Sequence, residues 1–348
     1  SLMMITATGQ DVQVNMEKFE IGRNFGTKLW NAARFMQMHM EKADGIDWTR
    51  AALESPDSGD APLTDDDRHL LARCDAAVQT VTDSLEKLRF QDAALAIYDL
   101  VWRNYCDGYL EYAKTDLLGD DPDRRRQVLR LMTHVMSKIL RLLHPFMPFL
   151  TEELWHAMGY GAPDDSIMIA PWPEKLTSEQ LQSWGVVPAV IEYVEAKQEM
   201  IGAGRALRAE YGIAPGKPLR YVIRAIDTET ARRLTRDRVA LHALLRAETV
   251  EISTAGDTRG MPGTICKLGS IHLPLAGLVD VPAEIRRIAG EVEKQRAFLA
   301  GLEAKLANRA FVSKAPAQVV EQQRLRRGEV QATIQRLEKL AQTLLAVE

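Results

Sequence analysis

Arg23–Met40, RNFGTKLWNAARFMQMHM, is the stretch whose reading decides the fold. At 3.6 residues per turn it carries two different faces. Phe25, Leu29, Ala32, Met36 and Met40 recur at helical spacing and form an apolar stripe suited to packing on one side. Asn24, Lys28, Asn31 and Phe35 keep helical spacing on a strip about a quarter-turn away. That strip is amide, ammonium, amide, aromatic ring, a set suited to nucleobases and phosphates. Pattern alone favours a plainer reading: an amphipathic helix with polar boundary positions, in which Phe35 fills a core edge.

The chain on either side supplies the context. Ile5–Asn15 is short and mixed, with Gly9 as a turn ahead of the first helix. After Met40 an acidic connection, DGIDWTRAALESPDSGDAPL, reads as a loop. Thr64 is an N-cap for a second long helix marked by Leu70, Cys74, Val78, Val81 and Leu85, with three aspartates in its first turn. Phe90–Ala113 holds a third helix and Asp121–His144 a fourth. Pro145 and Pro148 stop the fourth, and Thr151 is the expected N-cap of a shorter helix carrying Glu152 and Glu153. Long helices with short connections imply antiparallel neighbours in a bundle. Gly159–Pro173 is loop-like, and helical pattern resumes near Val187–Glu210. Beyond Pro218 the period shifts to strands in LRYVIRAI, TVEIST and TICKLGSIHLPL, with a helix over Thr228–Ala247.

The last segment is of a third type. Ile285, Ile288, Val292, Gln295, Leu299, Leu302 and Leu306 step by threes and fours, a heptad seam with one polar defect. After NRAFVSKAP, the positions Val330, Ile334, Leu337, Ala341 and Leu344 repeat the pattern. Two such helices joined by a Pro-containing turn fold back as an antiparallel coiled-coil hairpin, with arms of roughly 35–40 Å. The seam weakens towards the tip, where Gln323 and Arg327 fall on it. The tip also gathers Lys305, Arg309, Lys314, Arg324, Arg326 and Arg327, either for solubility or as a reach for a distant phosphate backbone.

Composition bounds the class. With 348 residues, 46% hydrophobic and 26% charged, two or three globular units are expected, and no apolar run reaches the roughly 20 residues of a membrane span. The net charge of −4 argues against an indiscriminate polyanion binder. From Ala283 onward, however, 12 Lys and Arg face 8 Asp and Glu, against 32 and 40 in the residues before. The tail therefore has a positive sign of its own. Cys74, Cys106 and Cys266 are widely spaced and read as buried thiols in a reducing cytoplasm. Ser1-Leu2, without an initiator methionine, reads as a cloning remnant ahead of a piece of something longer.

Catalytic constellations are missing. There is no GxxxxGK[ST] loop and no HExxH, and none of the seven histidines pairs with another at metal-ligand spacing. Gly202 and Gly204 begin a GxG, but Leu207 stands where the dinucleotide fingerprint needs its third glycine. Glu152 and Glu153 are explained by the helix dipole, and Trp155 and Trp172 by packing. These residues imply no active site.

The chain is similar from end to end to the C-terminal region of bacterial valyl-tRNA synthetases, a class I aminoacyl-tRNA synthetase family. GRNFGTKLWNAARF resembles the first helix of that family's anticodon-binding bundle, and RFQDAALAIYDLVWRNYCDGYLEYAK its middle. RLLHPFMPFLTEELWHAM is shared with isoleucyl and leucyl relatives, whereas SIMIAPWP, EYGIAPGKPL, IHLPLAGLVDV and ANRAFVSKAPAQVVEQQR are valyl-like. Two positions depart: Arg68-His69 stands where Arg-Trp is common, and Gly108 where a tryptophan is frequent.

The resemblance implies a mainly α chain in three parts. These are an anticodon-binding helical bundle over residues 3–180, a small α+β junction domain over 187–281, and a C-terminal antiparallel coiled-coil tRNA-binding arm over 283–346. It implies that Lys28 and Phe35 fall in the helix that meets the anticodon, with Phe35 an aromatic suited to base stacking. It places Lys305, Arg309 and Arg324 near the turn of the arm, which contacts the outer corner of tRNA. The family joins valine to its tRNA using ATP and Mg and edits mischarged threonine, in domains that would lie before residue 3. Expected partners are tRNA-Val and that catalytic half, with no membrane, no cofactor in this part, a cytoplasmic location and a monomeric state. Two other classes remain open: a free-standing tRNA-binding paralogue, and a scaffold whose coiled coil binds another protein.

Overall fold

A computed structural model describes residues 16–43, 48, 61–162, 164–214, 216–259, 261–275, 281–308 and 317–345. The expected Gly9 turn, most of the loop after Met40, and the arm's turn with Arg309 and Lys314 lie outside the described residues. The chain divides into two compact units, Ser1–Glu199 and Met200–Glu348.

The first unit is helical. Helix α1 spans Met16–Met40, α2 Asp65–Glu86 and α3 Phe90–Asp99, which runs on as a π-helix over Leu100–Leu110 and then as α4, Glu111–Leu118. Helix α5 follows over Pro122–Leu143 and α6 over Pro148–Ala157, then a 3-10 turn at Ile167–Ile169 and the short α7, Ser178–Ser183. Helix α8, Pro188–Glu210, contributes its first part to this unit. The apolar stripe of α1 is buried as its spacing dictates: Leu29 and Met36 are fully covered, and Phe25, Ala32 and Met40 are buried beside them. It packs on the π-helix, α5 and α6. Helix α5 is the hub, buried from Gln127 to Leu143 apart from Arg130.

Several helix ends follow their sequence signals. Thr64 caps α2 in a reciprocal box with Asp67, and Asp121 caps α5 with Pro122 at its first position. A second reciprocal box, Thr177 with Gln180, starts α7. Thr151 is not a cap: α6 begins at Pro148. The buried Thr151 hydroxyl donates back to the Met147 and Pro148 carbonyls and meets His144 Nδ1 at 2.7 Å. Proline's fixed φ and missing donor make it the better first residue, so the helix starts four residues earlier, with Met147 at the N-cap position. Glu152 also does more than face a dipole. It accepts from Ser166 Oγ at 2.9 Å and from the Ile167 amide at 3.3 Å, tying the following loop down.

The expected third helix departs from α geometry in its middle. A Cβ on Gly108 would meet the Arg103 carbonyl oxygen, five residues back, at 2.9 Å. Any side chain there would crowd the i→i+5 backbone. Glycine at this departure position accommodates the π-helix.

In the second unit a four-stranded sheet has the order β2-β1-β4-β3, with β1 Leu219–Ala225, β2 Ala247–Ser253, β3 Gly263–Cys266 and β4 Gly269–His272. β1 pairs with β2 in parallel and with β4 antiparallel, and β3–β4 is a tight hairpin. The β1–β2 crossover holds two helices, α9 Thr228–Arg236 and α10 Arg238–Leu245, where one was expected. Gly204 finds its role here. A Cβ on it would lie 2.7 Å from Leu245 and 2.8 Å from Ile271, so the GxG serves close helix–sheet packing. The unit ends in two long helices, α11 Val281–Ala307 and α12 Ala317–Leu345, packed on each other. Leu302, Val330 and Ile334 are buried in the seam between them, with Val292 and Leu299 alongside. Arg296 on α11 pairs with Glu338 on α12 at 2.5 Å. Arg327, at a seam position by extrapolation, is exposed, and Gln323 is half-buried.

Candidate nucleic-acid interface

The polar strip of α1 is present as a strip. Asn24 and Asn31 are exposed, and Lys28 and Phe35, one turn after Asn24 and Asn31 respectively, are half-buried. The Phe35 ring packs against the bundle core and lies 4.7 Å from the His39 ring, tilted by 56°. His39 is held below its ordinary pKa by burial and by Lys42 and Arg125, so it presents a neutral ring to Phe35 at neutral pH. Trp30 and Met38 are exposed on the same helix.

Lys28 is not a free ammonium. Its Nζ donates to Asp107 Oδ1 at 2.5 Å and stands 3.8 Å from the Trp102 ring centroid. Trp102 in turn stacks on Tyr98, with centroids 5.4 Å apart, and Tyr98 stacks on Phe25 at 5.6 Å. This aromatic ladder leads from the buried stripe of α1 to its polar strip. Spacing could not have found it. In an α-helix Trp102 and Asp107 would point about 140° apart, whereas π-helical i→i+5 geometry brings residues five apart to one side.

Two buried carboxylates, Asp66 and Asp67, lie at the start of α2. Asp67, wholly buried, receives Arg124 Nη1 at 2.6 Å, Arg124 Nη2 at 3.0 Å and the Tyr109 hydroxyl at 2.6 Å. Asp66 receives the buried Lys197 at 2.6 Å. These carboxylates, read from sequence as dipole partners, are neutralised structural anchors and offer nothing to a ligand. His69 occupies the first departure position, buried, with Arg73 Nε donating to its Nε2 at 3.3 Å.

On the arm, Lys305, Arg324 and Arg327 are exposed, as is Arg326. Arg324 lies 3.6 Å from Glu321 in a pair exposed on both sides. Lys305, Arg326 and Arg327 make no ion pair among the described residues. Arg309 and Lys314 fall outside those residues.

Comparison with known proteins identifies two segments of the chain. The family profile for the anticodon-binding domain of tRNA ligase matches residues 67–223, and that for the valyl tRNA synthetase tRNA binding arm matches residues 280–344. The chain is 32% identical over 326 residues to the valine–tRNA ligase of Geobacillus stearothermophilus, across 92% of this chain and 35% of that protein. It is equally similar to the valine–tRNA ligase of Oceanobacillus iheyensis, across 93% of this chain and 35% of that protein. The chain carries segments that match the valyl-tRNA synthetase family. It carries that family's anticodon-binding and arm segments and spans about a third of the length of the curated relatives it matches. Helix α1 precedes the matched anticodon-binding segment, so its polar strip stands on geometry and chemistry. Among the described residues no helix is long and apolar enough to cross a membrane, and no cluster of metal-ligating side chains occurs.

Proposed function

We propose that the chain is the tRNA-holding part of a valine–tRNA ligase and binds tRNA-Val at two places. The strip Asn24, Lys28, Asn31 and Phe35 meets the anticodon arm. The basic tip of the hairpin, Lys305, Arg324 and Arg327 with Arg309 and Lys314, meets the tRNA elbow. The observation that carries the reading is the order of the two matches in one chain, an anticodon-binding segment followed by a valyl-specific arm. Two separated contacts on one rigid ligand raise affinity through effective concentration, so each can be modest alone.

In this reading the ATP- and Mg-dependent joining of valine to tRNA takes place in a catalytic half that this chain partners. The chain needs no cofactor of its own, acts as a monomer because the hairpin satisfies its own seam, and works in the cytoplasm. Binding of labelled tRNA-Val transcripts, intact and with altered anticodons, tests it. Saturable binding weakened by anticodon changes, with no valine-dependent ATP–pyrophosphate exchange by the chain alone, is the expected outcome. Equal binding of all transcripts would remove the anticodon role, and exchange by a pure preparation would overturn the division of labour.

A further inference from the structure

The Lys28 ammonium has two partners, and both sit on the π-helix. Asp107 takes its charge at 2.5 Å, and Trp102 lies beneath it at 3.8 Å to the ring centroid. The Asp107 side chain is 57% exposed and that of Lys28 24%, so the pair is reachable from solvent. An ion pair this open is weakly held. A base stacking on the Trp102 face that Lys28 covers needs the volume its ammonium now fills, since stacked rings sit about 4.5–7 Å apart. The charge and the stacking face are therefore blocked together, by one contact, in the RNA-free protein.

We propose that Lys28, Asp107 and Trp102 form a gated nucleotide subsite. Asp107 parks the ammonium over the indole until an RNA phosphate draws it away, and the uncovered ring then takes an unpaired base. This deepens the tRNA-holding reading and rests on it. The π-helix is what makes the device, because in α geometry Asp107 and Trp102 could not both reach one ammonium. The ladder Trp102–Tyr98–Phe25 anchors the stacking face in the bundle core. Displacing Lys28 leaves Asp107 to recruit a cation, which offsets the counterion that the Lys28–phosphate contact releases. The gate thus lowers affinity and salt dependence together, and an unpaired nucleotide with both a phosphate and a free base opens it best.

The test uses the full chain and an anticodon stem–loop RNA of tRNA-Val. Asp107→Asn keeps the shape and removes the competing charge. It is expected to bind about two- to fivefold tighter, with a log K against log salt slope steeper by roughly 0.7. Lys28→Ala should weaken binding, and Asp107→Asn added to it should bring no further gain, which a double-mutant cycle reads directly. The quenching of tryptophan fluorescence by RNA should shrink in Trp102→Phe, whose ring still stacks on Tyr98. Asp107→Asn binding no tighter than the parent overturns the gate, as does an equal gain in the Lys28→Ala background, which would mark a long-range charge effect. The underlying reading fails separately: there Lys28→Ala and Phe35→Ala would both bind the stem–loop like the parent, or the parent would not bind at all.

Discussion

Arg124 grips Asp67 with both terminal nitrogens, at 2.6 and 3.0 Å, and the carboxylate it holds is wholly buried. Burial alone would depress the guanidinium's pKa, but Asp67 outweighs it and holds Arg124 above its ordinary range. Asp116 adds a contact at 2.8 Å to Arg124 Nε, and Tyr109 donates to Asp67 at 2.6 Å. One fork thereby joins α2, α4, α5 and the π-helix. Arg124→Ala would leave a buried carboxylate without its cation, and a loss of about 3–5 kcal/mol is expected in denaturant unfolding. Tyr109→Phe removes one donor and should cost less, about 1–3 kcal/mol. If Arg124→Ala unfolds like the parent, the fork is not an anchor of the bundle.

Two buried imidazoles make the bundle sensitive to mild acid. His69 is pushed down to about 4, by burial first and then by Arg73 and Lys197. His134 is pushed down to about 3, by burial first and then by Lys138 and Arg141. Both are neutral in the folded chain, while in the unfolded chain they take a proton below about 6.5. The unfolded state therefore binds more protons, and stability present above pH 6.5 falls as pH drops towards the folded values. About 1–2 kcal/mol per histidine should be lost between pH 7 and pH 5, above the ordinary carboxylate range. Melting curves over that interval check it. His134→Leu, which removes the titrating ring from a buried site, should flatten the dependence, and an unchanged slope would mean that His134 does not carry it.

The local signals that survived from sequence to structure are those with a short-range cause. Thr64 and Asp121 cap because their oxygens reach amides two or three residues on, and the stripe of α1 is buried because spacing alone puts it on one face. The heptads of α11 and α12 likewise predict the buried Leu302, Val330 and Ile334. What stayed hidden depends on contacts far along the chain. Lys28 and Asp107 are 79 residues apart, and Asp66 and Lys197 are 131 apart. The π-helical register that aims Asp107 has no period of its own in Phe90–Ala113. For the proposed interface, sequence singled out Lys28 and missed the two groups that hold it, Asp107 and Trp102.

The arm should supply a salt-sensitive share of tRNA binding that is independent of sequence. Its described tip presents Lys305, Arg324, Arg326 and Arg327 to solvent, on a segment of positive balance in an otherwise acidic chain. Each phosphate neutralised releases counterions, so log K falls with log salt in proportion to the number of contacts. Deleting residues 281–348 should weaken binding and flatten the slope by roughly one unit per lost contact. The hairpin closes its own seam, so the deletion should leave the helical bundle melting as before. A slope that survives the deletion would show that the arm does not touch RNA and would favour a protein-binding role for the hairpin.

The two faces of α1 should separate under mutation. Phe25 is buried, stacked on Tyr98 with ring centroids 5.6 Å apart, so Phe25→Ala leaves a cavity and should cost about 3–5 kcal/mol of stability. Phe35 is half-buried, resting on the core through one side and on His39, which leaves part of its ring available to a base. Because it does touch the core, Phe35→Ala is expected to destabilise measurably, but by less than Phe25→Ala. Its larger effect should be on tRNA-Val, where a lost base–aromatic stack weakens binding by about 1–3 kcal/mol. Asn24→Ala and Asn31→Ala, at exposed positions, should leave melting unchanged, so any loss of binding in them reports contact with RNA. The paired measurement is a melt and a binding isotherm for each variant, with tRNA-Val and an anticodon-altered transcript. If Phe35→Ala melts as early as Phe25→Ala, or binds tRNA-Val as the parent does, Phe35 is a second core residue. The polar strip of α1 is then only the boundary of an amphipathic helix.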